Sequence, residues 1–272
     1  MKEKRISLIF KSKKSQLSPW IMISIVIVVF VIAYFINKKY PLNGFGAEDR
    51  EKINSILSSI ENCKSIAADE AVYKIGIQGG YKNPPETYLD LGWSFIPYYF
   101  IEGDIVIPKK SDIEKNVGVL FDSLLDYCSN LIDKGNFSLK VLRNPSIVQI
   151  SPGKVSFNIQ NYYILEKEGR STKFDFRDKI FTKNYKLNEM YEIAEYITDS
   201  HRKDPSLLCM SCLVDMAKEK ELLVDFIEIE NTTRLVVITD LNKTSEYFYQ
   251  FINKYKEKES KNNDISISIK KT

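Results

Sequence analysis

Cys209 and Cys212, spaced as Cys-Met-Ser-Cys, point most directly to chemistry in this 272-residue chain. A C-x-x-C pair supports thiol–disulfide exchange, or it supplies half of the ligands of a structural zinc ion. Exchange proteins place the pair after a strand, at the start of a helix in a βαβ pattern, whereas here it follows a predicted helix and Pro205. A zinc ion needs four ligands, and the chain offers one histidine, His201, upstream of the pair. We therefore expect no metal and interpret the pair as a local disulfide, with free or cross-paired thiols as the alternative.

His201 is the single histidine of the chain, so a Ser-His-Asp or Cys-His catalytic set would have to include it. It lies in a charged stretch, Asp199–Asp204, at the predicted end of a helix, where a histidine suits the helix dipole. We interpret it as structural. Carboxylates are scattered without a marked pair, and no phosphate-binding glycine loop is present. The sequence therefore predicts no catalytic residue and no cofactor.

Cys63 and Cys128 lie on the apolar faces of two predicted helices. An even cysteine count is compatible with disulfides in an exported domain. A Cys63–Cys128 bridge would close a loop of about 65 residues and stabilise the fold by about 4 kcal/mol in the chain-entropy model. We predict this bridge, with two buried free thiols as the alternative.

The apolar tract Trp20–Ile36 contains no charged residue. As a helix its roughly 17 residues reach about 26 Å, close to the hydrocarbon thickness of a bilayer, about 30 Å. A soluble core helix has no need of so continuous an apolar surface. We expect residues 16–39 to form a transmembrane helix that contacts the lipid bilayer through residues 20–36.

Basic residues are concentrated before this tract and are sparse after it, where only Lys38 and Lys39 follow. The positive-inside rule then places the N-terminus in the cytoplasm and the chain from Tyr40 onward outside. With residues 1–39 set aside, acidic residues outnumber basic ones by about four, which argues against a surface that neutralises nucleic-acid phosphates. We expect a single-pass protein of the cell membrane whose C-terminal domain is extracytoplasmic and binds no nucleic acid.

The segment before the tract, Lys13-Lys14-Ser15-Gln16-Leu17-Ser18-Pro19, resembles the class III (prepilin-type) leader of archaeal type IV pilin-like proteins. The resemblance implies cleavage between Ser15 and Gln16 by a prepilin-type peptidase, after which the apolar helix enters a filament core or stays as an anchor. The chain departs from the family pattern at Ser15, usually Gly or Ala, and at Trp20, where many pilins carry Glu. An uncleaved anchor and a cleaved secretory signal are the alternatives.

A second resemblance combines Cys63, the run Gln78-Gly79-Gly80-Tyr81 and Cys128, the last at the end of a later helix. In this order, and with the leader, they resemble uncharacterised anchored surface proteins of small-genome archaea. The resemblance implies a location and an architecture and no activity.

Helix and turn signals divide the first part of the domain. Apolar residues at three- and four-residue spacing predict a helix from Ala47 to a stop at Gly79-Gly80. Ser111-Asp-Ile-Glu114 reads as a capping box that opens a second helix. Between them, Trp93–Ile101 and Asp104–Ile107 predict a hairpin. The second helix is expected to bury Ile113, Val117, Leu120, Phe121, Leu124, Cys128 and Leu131.

The later part is richer in strand signals. Alternating residues from Phe137 to Tyr185 predict a β-meander, with Val155–Leu165 as one of its strands. Helices are expected at Leu187–Ser200 and Leu207–Lys218. Further strands are expected at Leu222–Ile229, Arg234–Thr239 and Tyr247–Ile252, and Ile265–Ile269 could add one in the tail.

These patterns predict an α+β protein: a transmembrane helix followed by two or more packed helices and an antiparallel sheet. The expected segments are the basic leader (1–15), the transmembrane helix (16–39), a neck (40–46), a helical and hairpin part (47–135), a β-rich part (136–255) and a polar tail (256–272).

Two surface features are also marked. An aromatic-rich stretch is expected either to stack on a ligand or glycan or to cover the core; it contains Tyr88, Trp93, Phe95, Tyr98, Tyr99 and Phe100. Asn136, Asn231 and Asn242 lie in N-glycosylation sequons.

The function expected is that of a membrane-anchored extracytoplasmic structural or interaction protein, pilin-like or part of the cell surface. Its expected partners are the bilayer, a prepilin-type peptidase and other surface or filament subunits. The alternative is an anchored extracytoplasmic enzyme, or a thiol-redox module that uses Cys209 and Cys212.

Overall fold

The computed structural model describes residues 27–28, 44–177, 179–203, 208–242 and 247–256. The chain forms two units, residues 1–50 and 51–272. The described part is α+β, as predicted. Between residues 44 and 256 it contains four helices: α1 (Ala47–Ile77), α2 (Lys110–Leu131), α3 (Leu187–Lys203) and α4 (Met210–Glu219).

Twelve strands are present over the same described residues: β1 (Tyr88–Asp90), β2 (Phe95–Ile101), β3 (Asp104–Ile105), β4 (Ser138–Leu142), β5 (Ile147–Ser151), β6 (Lys154–Asn158), β7 (Tyr162–Lys167), β8 (Arg170–Asp175), β9 (Ile180–Lys183), β10 (Leu222–Glu230), β11 (Thr233–Asp240) and β12 (Phe248–Lys254). The largest sheet has the order β1-β2-β12-β11-β10, with β3 paired to β2. Its pairs are antiparallel except β2 and β12, which run parallel. An early strand of the chain therefore lies beside the last described one.

The predicted β-meander is wrong in its connections. The strands between residues 138 and 183 form two antiparallel sheets, β4-β7-β8 and β5-β6-β9. The predicted strand Val155–Leu165 is broken between β6 and β7, where the buried Asn161 accepts the backbone N–H of Asn144 at 2.9 Å. This break sends β6 and β7 into different sheets.

The first helix and the hairpin after it are confirmed, with shorter bounds for the hairpin strands. Helix α1 ends before Gly79 and Gly80, which both have positive φ, and the Gly80 N–H donates to the Ile75 carbonyl at 2.8 Å. The hairpin turns at Glu102 and Gly103, again with positive φ.

The predicted capping box is wrong. Lys109 is the N-cap of α2 and its side chain makes no capping hydrogen bond. Glu114 accepts the backbone N–H of Ile150 at 2.8 Å, so its carboxylate ties α2 to β5. The buried stripe of α2 also differs at its end, because Leu125 is buried and Leu131 is 70% exposed.

The later helices and strands confirm the predicted elements with bounds shifted by a few residues. The leader, the Ser15–Gln16 bond and the tail from residue 257 lie outside the described residues. Of the predicted span only Ile27 and Val28 are described, and both are helical and exposed. In the described part of the chain, no helix combines the length and the apolar character that a membrane crossing requires.

Candidate functional site

The Cys209–Cys212 pair forms a disulfide at the beginning of α4. Cys209 is the N-cap residue of this helix, and the backbone N–H of Cys212 donates to its Sγ at 3.3 Å. The Ser211 hydroxyl lies 3.5 Å from the same sulfur. The local bridge is thus formed, as expected, and the helix expected at Leu207–Lys218 begins at Met210, so that the motif lies at its start.

Both cysteines of this pair are exposed. Beside them on α4, Met210 and Val214 are 53% and 59% exposed. Leu213 and Ala217, on the other face, are buried, and α4 packs against β10. The buried face holds the helix in place and leaves a disulfide with two apolar neighbours at the surface.

The Cys63–Cys128 disulfide joins α1 to α2, as predicted, with a Cα–Cα distance of 5.6 Å. Cys63 is 3% exposed and Cys128 is half-buried. Stable disulfides are typical of oxidising, extracytoplasmic compartments. The two bridges therefore indicate that the domain belongs outside the cytoplasm.

His201 lies within the described part of α3, and the reason given for it from the sequence is wrong. It is buried, and its ring packs against Phe100 and Tyr255. Its Nε2 lies 2.9 Å from the Tyr255 hydroxyl. Burial, reinforced by the charge of Arg234, lowers the pKa of His201 below its usual value. The histidine is a neutral packing residue, not a cation that complements the helix dipole.

The Gly-Gly-Tyr run that carried part of the resemblance is a packing element. The Tyr99 hydroxyl donates to the Gly79 carbonyl at 2.6 Å. A side chain at Gly80 would begin 2.9 Å from both the Tyr249 hydroxyl and Ile113. These glycines allow the end of α1 to approach β2 and β12 more closely than any side chain would permit.

The aromatic stretch before α2 is mostly core. Phe95, Tyr99 and Phe100 are buried, whereas Trp93 is 78% exposed. Tyr99 stacks on Phe251 with ring centroids 4.4 Å apart. For the buried rings, the expectation that they cover the core is confirmed.

Lys64 is a buried cation that the sequence did not single out, because it lies within the apolar stripe of α1. Its Nζ lies 2.6 Å from the Glu61 carboxylate and 5.2 Å from the centroids of both Phe176 and Phe181. The charge is paired and covered by aromatic faces. These contacts hold α1 against Phe176 and Phe181.

Strand β10 forms one edge of the largest sheet, and the sequence analysis did not recognise it as an edge. One face of it exposes the apolar side chains of Leu223 and Ile227, and Ile229, at an irregularity between Glu228 and Glu230, is exposed as well. Exposed carboxylates interrupt and flank this face; they belong to Asp225, Glu228 and Glu230. Among the described strands, β10 pairs with β11, so its outer edge offers backbone hydrogen-bonding groups beside an acidic and apolar surface.

The three sequon asparagines, Asn136, Asn231 and Asn242, are exposed. The Asn242 side-chain amide donates to the Glu221 carboxylate. In the described part of the chain, no three His, Cys, Asp or Glu side chains converge on a position for a metal ion.

Comparisons of this chain with protein-family models, with curated proteins and with solved structures give no match in any of the three cases.

Proposed function

We propose that this chain is a membrane-anchored extracytoplasmic protein with a structural or interaction role, a pilin-like or cell-surface component. The observation that carries the proposal is the Cys63–Cys128 disulfide between α1 and α2. A bridge of this kind, with one cysteine buried and the other half-buried, persists in an oxidising compartment. An extracytoplasmic location also agrees with the basic leader and the apolar tract Trp20–Ile36. By the positive-inside rule, these would keep the N-terminus in the cytoplasm and export the rest of the chain.

The anchor proposed is Trp20–Ile36, which would contact the bilayer as one helix. The leader is proposed to be a substrate of a prepilin-type peptidase that cuts between Ser15 and Gln16. The domain would then stand outside the membrane, beside other surface or filament subunits.

The interaction role is supported by the β10 edge. Leu223, Ile227 and Ile229 offer apolar contacts, while Asp225, Glu228 and Glu230 give the strand a negative charge. Charge complementarity selects a partner polypeptide with an extended, basic segment whose residues alternate between apolar and polar. Such a segment can add to the sheet edge by main-chain hydrogen bonds while its apolar side chains cover this face.

Location is tested on the full-length protein in cells. We expect it in the membrane fraction, resistant to alkaline carbonate, with its cysteines blocked to alkylation until a reductant is added. N-terminal sequencing should give a mature start at Gln16. A freely soluble cytoplasmic protein with reduced thiols would contradict the location, and an uncleaved start at Met1 or Lys2 would remove the pilin-type leader alone.

The interaction surface is tested with the peptide Ile-Ser-Ile-Ser-Ile-Lys-Lys, which has the required chemistry and the sequence of residues 265–271. We expect it to bind the full-length protein and to slow amide exchange in β10. Ile227→Lys should abolish this binding, and Ile147→Lys, on an edge strand of another sheet, should not. No binding, or binding only after residues 257–272 are deleted, would contradict a partner at this edge; the second outcome assigns the edge to the chain's own tail.

A further inference from the structure

We infer that Cys209–Cys212 is an exchange-active disulfide that accepts two electrons from a pair of thiols in an unfolded or extended polypeptide. This activity goes beyond an anchoring or structural role. It is carried by the position of the pair at a helix start, by its exposure and by the apolar side chains beside it.

The two disulfides of the domain differ in accessibility. An attacking thiolate must reach a sulfur atom in line with the bond, so exposed disulfides exchange and buried ones resist. Cys63 is almost fully buried and Cys128 is half-buried between α1 and α2, whereas Cys209 and Cys212 are both exposed at the start of α4. The second bridge also closes a loop of only a few residues, so it constrains the unfolded chain far less than the first.

The surroundings of Cys209 stabilise its thiolate. As the N-cap of the ten-residue helix α4, its sulfur lies at the positive end of the helix dipole. The Cys212 N–H already donates to this sulfur, and the Ser211 hydroxyl lies within reach of it. Such contacts stabilise a thiolate and so favour the reduced form of the pair. A disulfide whose reduced form is stabilised is a stronger electron acceptor.

The side chains beside the pair indicate the class of substrate. Met210 and Val214 lie one turn apart on the exposed face of α4. An apolar surface with a flexible methionine adapts to varied side chains. It suits the thiols of a polypeptide with exposed apolar residues better than those of a small charged thiol.

The exchange balances in two steps. A substrate thiolate attacks Cys209 Sγ, a mixed disulfide forms, and the bond to Cys212 breaks, so that Cys212 leaves as a thiolate and takes up a proton. The second substrate thiol, after losing its proton, attacks the substrate sulfur of the mixed disulfide. Cys209 then leaves as the thiolate that the helix start stabilises. The substrate dithiol is oxidised to a disulfide, and Cys209–Cys212 gains two electrons.

The first test compares two single-cysteine variants of the full-length protein, with oxidised glutathione as the probe at pH 7. Cys212→Ser leaves Cys209 free, and Cys209→Ser leaves Cys212 free. We expect the Cys209 thiol to form the mixed disulfide about threefold faster, because a tenfold rise in the thiolate fraction is partly offset by the lower nucleophilicity of a stabilised thiolate. Alkylation of Cys209 should also reach half its maximal rate at a lower pH than alkylation of Cys212 does in the other variant. Equal rates and equal pH profiles would overturn the assignment of Cys209 as the exchanging sulfur.

The second test equilibrates the unmutated protein in graded glutathione buffers and maps the thiols by alkylation and mass spectrometry. We expect Cys209–Cys212 to be reduced while Cys63–Cys128 stays oxidised and circular dichroism is unchanged. Reduction of both bridges together, or only with loss of the fold, would overturn the inference.

A third test asks whether the apolar side chains beside the pair bind the polypeptide substrate. Met210→Ser with Val214→Ser should slow oxidation of an apolar two-cysteine peptide by the protein and leave the reaction with dithiothreitol unchanged. The matched double variant Leu223→Ser with Ile229→Ser, on β10, should alter neither. Equal slowing with both reductants would overturn the assignment of Met210 and Val214 to substrate docking.

Discussion

The hydroxyl oxygens of Tyr99 and Tyr249 lie 2.6 Å apart in the core, although the residues are 150 positions apart in the sequence. Tyr99 donates its proton to the Gly79 carbonyl, so Tyr249 is the donor between the two hydroxyls. Burial raises the pKa of both tyrosines. The pair joins the end of α1 to β2 and β12, the two strands of the largest sheet that run parallel to each other.

Removing the Tyr99 hydroxyl should therefore cost more than removing that of Tyr249. Tyr99→Phe leaves the Gly79 carbonyl and the Tyr249 O–H without partners, and we expect a loss of about 1–3 kcal/mol in the free energy of unfolding. Urea denaturation of the two single variants and the double variant measures the coupling. The exposed Tyr88→Phe is the control, and strictly additive losses would contradict a shared hydrogen bond.

Close approach at Gly76 gives a second prediction. An added Cβ would lie 2.5 Å from the Phe248 carbonyl oxygen, and backbone cannot move aside as a side chain can. We expect Gly76→Ala to destabilise the fold by about 1–3 kcal/mol through overpacking. Gly118→Ala is the matched variant: its Cβ would lie 3.0 Å from the Ser146 carbonyl, and its gain in helix propensity, about 1 kcal/mol, should largely offset the contact. Thermal unfolding separates the two, and a Gly76→Ala protein as stable as Gly118→Ala would refute the argument.

Glu114 binds the backbone of β5 and does not take part in capping α2. Variants at Glu114 and Ser111 should therefore differ in their effect on stability. Glu114→Ala leaves the Ile150 N–H without its carboxylate, at an expected cost of about 1–3 kcal/mol. Ser111→Ala removes an exposed hydroxyl that does not cap α2, so its effect should stay within about 0.5 kcal/mol. Chemical denaturation gives both values, and a larger loss at Ser111 would restore the capping box.

The two disulfides should contribute unequally to stability. In the chain-entropy model, replacing Cys63 and Cys128 by Ala costs about 4 kcal/mol, because their sequence separation is 65. Replacing Cys209 and Cys212 by Ser costs about 2 kcal/mol, because theirs is 3. Melting temperatures of the two double variants test this ranking, and the reverse order would contradict it.

His201 predicts a pH dependence with a definite sign. Its pKa is lowered in the folded protein by burial, so the unfolded chain binds its proton more tightly. Stability from this group is fully present above the unfolded pKa, about 6.5, and is lost as pH falls toward the folded pKa. Urea unfolding at pH 7.5 and 5.5 should show a larger loss for the wild type than for His201→Gln, which stays neutral and keeps a polar group near Tyr255. Equal losses would contradict a buried neutral histidine.

Local signals predicted the helices and most strands, because an apolar stripe, a proline or a Gly-Gly stop acts within a few residues. Cys63 and Cys128 were paired correctly because each lies on the packed face of its helix. The division of the strands into two small sheets was not predicted. It depends on the break between β6 and β7 at the buried Asn161, whose partner Asn144 is distant in sequence. Glu114 was misassigned for the same reason, because its partner Ile150 belongs to another element. The contact of His201 with Tyr255, 54 positions away in the sequence, was likewise invisible to local patterns.

The C-x-x-C spacing located the candidate site in the sequence, but it did not predict the surroundings of the two cysteines. The sequence shows Cys209 and Cys212, yet it does not show that Cys209 is an N-cap or that Met210 and Val214 face outward. Both depend on how α4 packs on β10, which no local pattern encodes. The exposed face of β10 was hidden for the same reason, because its alternation matches that of a covered strand.

The parallel pairing of β2 with β12 has a consequence for biosynthesis. At about 5–20 residues per second, the ribosome completes β12 roughly 8–30 s after β2. During this interval β2 can pair with β1 and β3, but the side of it that β12 will cover stays accessible to chaperones or to neighbouring chains. The largest sheet can therefore be completed only after β12, the last of its described strands, has left the ribosome.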